Sequence, residues 1–420
     1  MLSHVRPFFV ATVLSVTLAV GGSTLTAQAQ TDATTESAEA TMLRRVYSEA
    51  LAHGEAFDNL RTLVTETPGR LAGSPSFNRA VVWGEKTLAA LKLDRVYKQD
   101  LMVPHWERGA KESVSLQPPA GEKGEAVPLS AVALGGSVPG DVTAEVIEVK
   151  SLKELDQLGR AKIAGKIIFF NRPMDPTSAN PGPAYGGAGD QRNQGPGTAA
   201  KFGAVAALTR SLTQAHNDFP HTGYTGYLPG QPKIPAAALS TIAADKLSAA
   251  LAANSRARVQ VKINSTWFDD VPSWNVIGEI RGSEFPDQII VVGGHLDSWD
   301  IAPGAHDDGA GVVQSIEVLR IFRALGIKPR HTLRCVLFSS EENSLNGATA
   351  YASAAKDTKE KHIFALESDN GGFQPHAFSL GSTQGSASPR AARWLPLFKP
   401  YGIFDFNEGG GGADVSPLLV

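Results

Sequence analysis

From position 289 onward, continuous apolar runs alternate with stretches of helical periodicity. Residues 289–292 are β-branched throughout, the pattern of a strand buried on both faces. Residues 309–325 place apolar side chains at helical spacing, and the pattern stops at Gly326 with Pro329 beyond it. A second buried strand is predicted over 333–338, a helix over 345–355 and a third strand over 363–366. Strand, helix, strand, helix, strand implies right-handed crossovers and parallel strands.

The first part of the chain is patterned differently. Helical spacing over 42–63 and again over 80–91 is separated by Pro68-Gly69-Arg70 and Gly73-Ser74-Pro75. Strands are predicted over 96–103 and 113–116. The Pro/Gly-rich segment Pro118-Pro119-Ala120-Gly121 marks a change, after which 144–149 and 167–170 read as short strands. Glycine and proline dominate 176–197, which predicts a long surface loop. A helix over 198–202 leads into a strand over 204–208, and a loop over 213–235 precedes a helix over 243–251. The expected organisation is an α/β fold with a mixed, mostly parallel sheet flanked by helices. Residues 42–124 and 266–420 form its two parts, and a smaller α/β module over 125–265 interrupts it.

The N-terminus joins a short basic start to an apolar run over 8–20 and a small-residue site, Ala27-Gln28-Ala29. That layout predicts a secretory signal peptide over 1–29, followed by a loose polar segment over 30–41. The run is shorter than the roughly 20 apolar residues a spanning helix needs. The expected location is therefore secreted or periplasmic, with no membrane span after cleavage. A net charge of −3 gives no basic footprint for nucleic acid. The lone Cys335 lies inside an apolar run and reads as a core thiol.

Polar residues gather where the predicted strands end. Asp297 and Asp300 follow the first strand with His295, and Asp307 and Asp308 open the next helix with His306. Glu341 and Glu342 follow the second strand, and Glu367 and Asp369 the third. All lie at the carboxyl edge of a parallel sheet, where ligands bind in such folds. Eight carboxylates facing two histidines must keep protons or hold divalent cations. Imidazole mixed with carboxylate suits zinc better than magnesium or calcium. No HExxH helix and no GxSxG elbow occurs, so single-zinc protease and serine hydrolase readings have no motif.

Four ordered motifs then carry a resemblance: GGHLDSWD (293–300), GAHDDGAG (304–311), SSEEN with NGA (339–343, 346–348) and ALESDNGG (365–372). The chain resembles the co-catalytic zinc exopeptidases of the bacterial leucyl aminopeptidase and plasma glutamate carboxypeptidase (carboxypeptidase Q) type. PGRLAGSP (68–75) is similar to that family's N-terminal segment, and the 125–265 module to its protease-associated insert. The resemblance implies two zinc ions in a complete site. His295 and Asp369 would hold one, Glu342 the other, and Asp307 would bridge them. Glu341 would be the general base and Asp297 would orient the His295 ring by accepting its hydrogen bond. His306 is expected to line the site without ligating, Asp308 and Glu367 to serve hydrogen bonding, and Asp300 to be a solvated loop residue. His331 and His362 are expected at the opposite sheet edge.

The family pattern carries a fifth ligand, a histidine after a glycine-rich loop and one more strand. NEGGGGAD (407–414) resembles that loop, and the sequence stops at Val420, so a truncated C-terminus is expected. The second zinc would then lack its histidine, a position His376 is poorly spaced to fill. The implied activity is hydrolysis of short peptides or dipeptides from the amino end. Its rivals are a carboxypeptidase of the same family and a metal-poor binding protein on the same fold.

Overall fold

The structure, a computed structural model, describes residues 37–119, 121–227, 230–369, 371–382, 388–409 and 412–419. The expected signal peptide over 1–29 lies outside them. The 30–41 segment falls only partly within them, and helix α1 (Ala38–His53) begins inside it, capped by Ser37, whose hydroxyl accepts the Ala40 N–H at 3.1 Å. Helical spacing over 42–63 resolves into two helices, because the chain leaves α1 at Gly54 and starts again as α2 (Ala56–Glu66). Helix α3 (Pro75–Ala90) has Ser74 as its cap and proline in its first turn, and it buries Phe77, Ala80, Trp83 and Leu88. Strand β1 (Arg95–Glu107) follows.

A second sheet then intervenes. Its elements are β2 (Ser113–Leu116), β3 (Val127–Leu129), β4 (Ala131–Ala133), β5 (Gly140–Val149), α4 (Leu152–Ile163), β6 (Ile167–Phe170), α5 (Pro181–Asn193), α6 (Gly195–Lys201), β7 (Ala206–Arg210), β8 (Ala236–Leu239), α7 (Thr241–Ala253) and β9 (Arg258–Ile263). The strand order is β3-β2-β9-β5-β6-β7-β8-β4. Val114 pairs with Leu129 across β2 and β3, so the Pro/Gly segment at 118–121 is a connection within this sheet, which starts at Ser113, ahead of 125. The 176–197 stretch is not a loop: it holds α5 and the start of α6. Asn180 accepts the Gly182 N–H at 3.1 Å and Pro181 opens the first turn. Buried Ala184, Ala188 and Gly189 let α5 pack closely, and tertiary contact overrides the poor helix propensity of glycine.

The chain returns to the first sheet through β10 (Thr266–Ile280), β11 (Phe285–His295), α8 (Ala310–Ala324), β12 (His331–Phe338), α9 (Asn346–Thr358) and β13 (Lys361–Glu367). The order is β1-β10-β12-β11-β13. As expected, β11 runs parallel to β12 and β13, while β10 is antiparallel to β12 and β1. The alternation of strand side chains splits β12 between two faces. Leu333, Cys335 and Leu337 join α2, α3 and α8 in one core, and Val336 and Phe338 pack with Tyr351 of α9 in another. A short parallel pair, β14 (Ala377–Leu380) and β15 (Asp405–Glu408), follows. Among the described residues no helix is long and apolar enough to cross a membrane.

Candidate metal centre

His295 is the last residue of β11 and is fully buried. Its Nε2 stands 3.1 Å from Asp307 Oδ1, 3.5 Å from Asp369 Oδ1 and 4.0 Å from Glu341 Oε2. Its Nδ1 is 3.1 Å from the Asp297 backbone oxygen and 3.6 Å from Asp297 Oδ1. A proton on Nδ1, donated to that carbonyl, leaves a lone pair on Nε2 facing carboxylate oxygens. Nε2 is also a buried atom with no hydrogen-bond partner among the described residues. Such a nitrogen needs a second proton or a cation in front of it.

The charge balance points the same way. Burial opposes a charged His295, but the Asp297, Asp307 and Asp369 carboxylates outweigh it and raise the ring's pKa well above the ordinary value. Burial, ahead of repulsion from Asp297, Asp369 and Asp307, pushes Glu341 up to about 7. Glu342 is raised well above its usual range by burial and by the neighbouring Asp307. Carboxylates this crowded keep protons at neutral pH unless cations replace them. The donor set of imidazole and carboxylates fits zinc.

Two neighbouring aspartates compete for the central position, joined by a cis peptide bond. His295, Asp308 and Asp369 bring ligand atoms within 4.8 Å of one another. Yet Asp308 is buried with both oxygens engaged, Oδ2 by the His295 N–H and Oδ1 by the Gly311 N–H, each at 3.0 Å. Asp307 instead opens to the cleft, its side chain 62% exposed. Asp308 is thus already engaged by backbone N–H groups, whereas Asp307 could face a metal in the cleft.

Asp297 does more than meet the ring. Its Oδ1 accepts the Glu341 N–H at 3.1 Å and its Oδ2 the Glu342 N–H at 3.2 Å, which ties the end of β11 to the end of β12. Glu367 accepts the Asp414 and Val415 N–H groups at 2.8 and 3.0 Å, so the C-terminal segment returns to this edge. Asp414 is itself fully buried, and neither carboxylate oxygen has a partner among the described residues. His306 lines the cleft edge-on to Phe373, 5.5 Å between ring centres. His376 lies elsewhere, against Phe404 and the Gly402 carbonyl. His331 stacks on Phe285 and His362 meets the Tyr351 hydroxyl, both away from the site as expected.

Sequence reasoning missed the groups that hold the loop between His295 and Asp307. Arg70 is fully buried, with Nε on the Leu296 carbonyl at 2.5 Å, Nη1 on Pro303 at 2.7 Å and Nη2 on Gly304 at 2.8 Å. An arginine set in the Gly/Pro-flanked 68–75 motif was the available signal. Asp300 is not solvated: Arg108 grips both its oxygens at 2.7 Å, and also donates to the Ala133 carbonyl and to the Thr222 hydroxyl on the second-sheet unit. Trp299 packs against Gly135 of that unit, where any Cβ would overlap the indole. The two units thus close around a cleft of about 1060 Å³. Asp307, Glu341, Glu342 and Asp369 line it from the first-sheet unit, and Tyr185, Arg192 and the 221–224 segment from the second.

Residues 275–415 match the sequence profile of peptidase family M28. The chain is 34% identical over 368 residues to carboxypeptidase Q of Bos taurus, covering 87% of this chain and 75% of that protein. A solved peptidase M28 precursor from Shewanella amazonensis SB2B has a TM-score of 0.84 at 32% identity, over 90% of this chain and 85% of that one. A zinc aminopeptidase from Bacillus subtilis has a TM-score of 0.60 at 19% identity, over 86% and 81% of the two chains, a likeness of fold alone.

Proposed function

The chain belongs to peptidase family M28 and is a metallopeptidase, and on that premise we propose a zinc-dependent exopeptidase that hydrolyses short peptides. The observation that carries this reading is the buried, unpartnered Nε2 of His295 facing Asp307, Asp369 and Glu341.

In this reading His295, Asp369, Glu342 and Asp307 would hold the zinc. Zinc bound there supplies a Lewis acid that polarises the peptide carbonyl and lowers the pKa of water. Glu341 takes the proton from the attacking water and passes it to the leaving amine. Its place beside His295 Nε2 and its raised proton affinity suit a group that must hold that proton between the two steps. Asp297 keeps Glu341 and Glu342 in register by holding both backbone N–H groups. The second-sheet unit, residues 113–263, acts as a protease-associated insert that walls the cleft, and the 1–29 leader directs export to the periplasm or the medium.

Relatives named as carboxypeptidase Q and as an aminopeptidase leave two directions of attack. A tripeptide of three different residues separates them. Release of the N-terminal amino acid first by the zinc-loaded protein supports the aminopeptidase reading, and release of the C-terminal one first supports the carboxypeptidase reading. No zinc retained after dialysis, or no hydrolysis with zinc bound, would sink the proposal.

A further inference from the structure

Arg192 lines the same cleft as the acidic floor, and no carboxylate among the described residues pairs with it. It is the penultimate residue of α5 and only 9% exposed. Its Nε donates to Asn193 Oδ1 at 3.2 Å and its Nη1 reaches the Thr222 carbonyl at 3.4 Å. The guanidinium lies over the Tyr185 ring, 5.2 Å from its centre, and rests on Gly223, where any Cβ would overlap it. Every one of these partners is neutral.

Four other arginines with little exposed side chain are neutralised. Arg108, Arg210, Arg320 and Arg334 each pair with a carboxylate. Arg70 lacks one, yet spends its Nε, Nη1 and Nη2 on backbone carbonyls. Arg192 has no ion pair among the described residues, and its Nη2 has no hydrogen bond there. Nη2 is also absent from the buried atoms that lack partners, so it keeps contact with solvent, and the residue lines the cleft. A guanidinium does not shed its charge to escape burial, and its planar fork matches a carboxylate in two-point contact. Arg192 is the one arginine or lysine among the described residues that line the cleft.

We infer that Arg192 anchors the free C-terminal carboxylate of a short peptide whose scissile bond lies over the His295–Asp369 floor. The inference rests on the peptidase reading. It makes the insert a reader of the substrate's far end: Tyr185 and Gly223 shape the slot, and Thr222 ties it, through Arg108, to Asp300 of the metal-bearing loop.

The test compares alanyl-alanine with its C-terminal amide in the zinc-loaded protein. The ratio of kcat/KM for the acid over the amide should fall about 10²-fold in Arg192→Gln, mainly through KM, as expected when one partner of a buried charged pair is removed. Arg192→Lys should recover part of the ratio. A second readout uses the dipeptide with a methylene in place of the scissile carbonyl, and its amide, titrated calorimetrically into zinc-loaded and metal-free protein. A wild-type ratio near one, or an unchanged ratio in both variants, overturns the assignment. If the wild type binds the acid analogue more tightly than the amide through Arg192 but cleaves neither peptide, the anchor stands and the peptidase reading fails.

Discussion

Asp308 Oδ2 accepts the backbone N–H of His295 at 3.0 Å, so the residue beside the proposed metal ligand holds the main chain of the histidine that faces that ligand. The consecutive aspartates therefore do different work. One opens to the cleft, and the other is spent on the scaffold.

Asp307→Ala should lose the bound zinc, whereas Asp308→Asn should keep most of it and lose stability. The second cost is roughly 1 to 3 kcal/mol, the penalty for disturbing a buried acceptor. Elemental analysis after dialysis and a thermal melt check both. Zinc retained by Asp307→Ala and lost by Asp308→Asn would exchange their roles.

Glu341→Gln should retain zinc and lose about 10² to 10⁴ in kcat, the usual contribution of a general base. The amide keeps the shape and cannot accept the proton from water. Full turnover in this variant would remove Glu341 from proton transfer.

Arg70→Met should destabilise the fold and loosen zinc together. The Leu296, Pro303 and Gly304 carbonyls lose their donor, at roughly 1 to 3 kcal/mol for each acceptor left buried. Zinc affinity should fall about 10- to 100-fold, as when an outer-shell support is removed. Arg70→Lys should rescue little, because a single ammonium cannot reach three carbonyls arranged for a planar fork. An unchanged melting temperature would show that the loop holds itself.

Removing zinc should make stability depend on pH with a definite sign. In the metal-free protein Glu341 keeps its proton up to about 7, against an ordinary value of 4.5. Between those values the folded state binds more protons than the unfolded chain, so its stability falls as pH rises through that window. Zinc takes the proton's place, and the rise in melting temperature it confers should be larger at about pH 7.5 than at about pH 5. Melts with zinc and with chelator at both pH values give the increments. Equal increments would mean that the site carries no extra protons when metal-free.

The floor was legible because β11, β12 and β13 carry apolar stretches with acids at or just beyond their ends, a pattern that shows both where the strands stop and which edge they share. Strand β10 was not, since its first half is largely exposed and its second half buried on both faces, and neither half sustains one period. Helix α5 was hidden by its glycines, whose close packing is a property of the folded neighbour. Arg108 and Asp300 stand 192 positions apart, and nothing local to either announces the pair. The same is true of Arg192, whose meaning lies in the carboxylate it lacks.

The cleft floor rests on one pair of hydrophobic cores and the insert on others of its own. Selection for bond cleavage and selection for diet thus act on separable sets of residues. A lineage can repack α5 or replace Arg192 and acquire new substrates while inheriting its chemistry unaltered, so divergence within such proteins should accumulate on the wall before it reaches the floor.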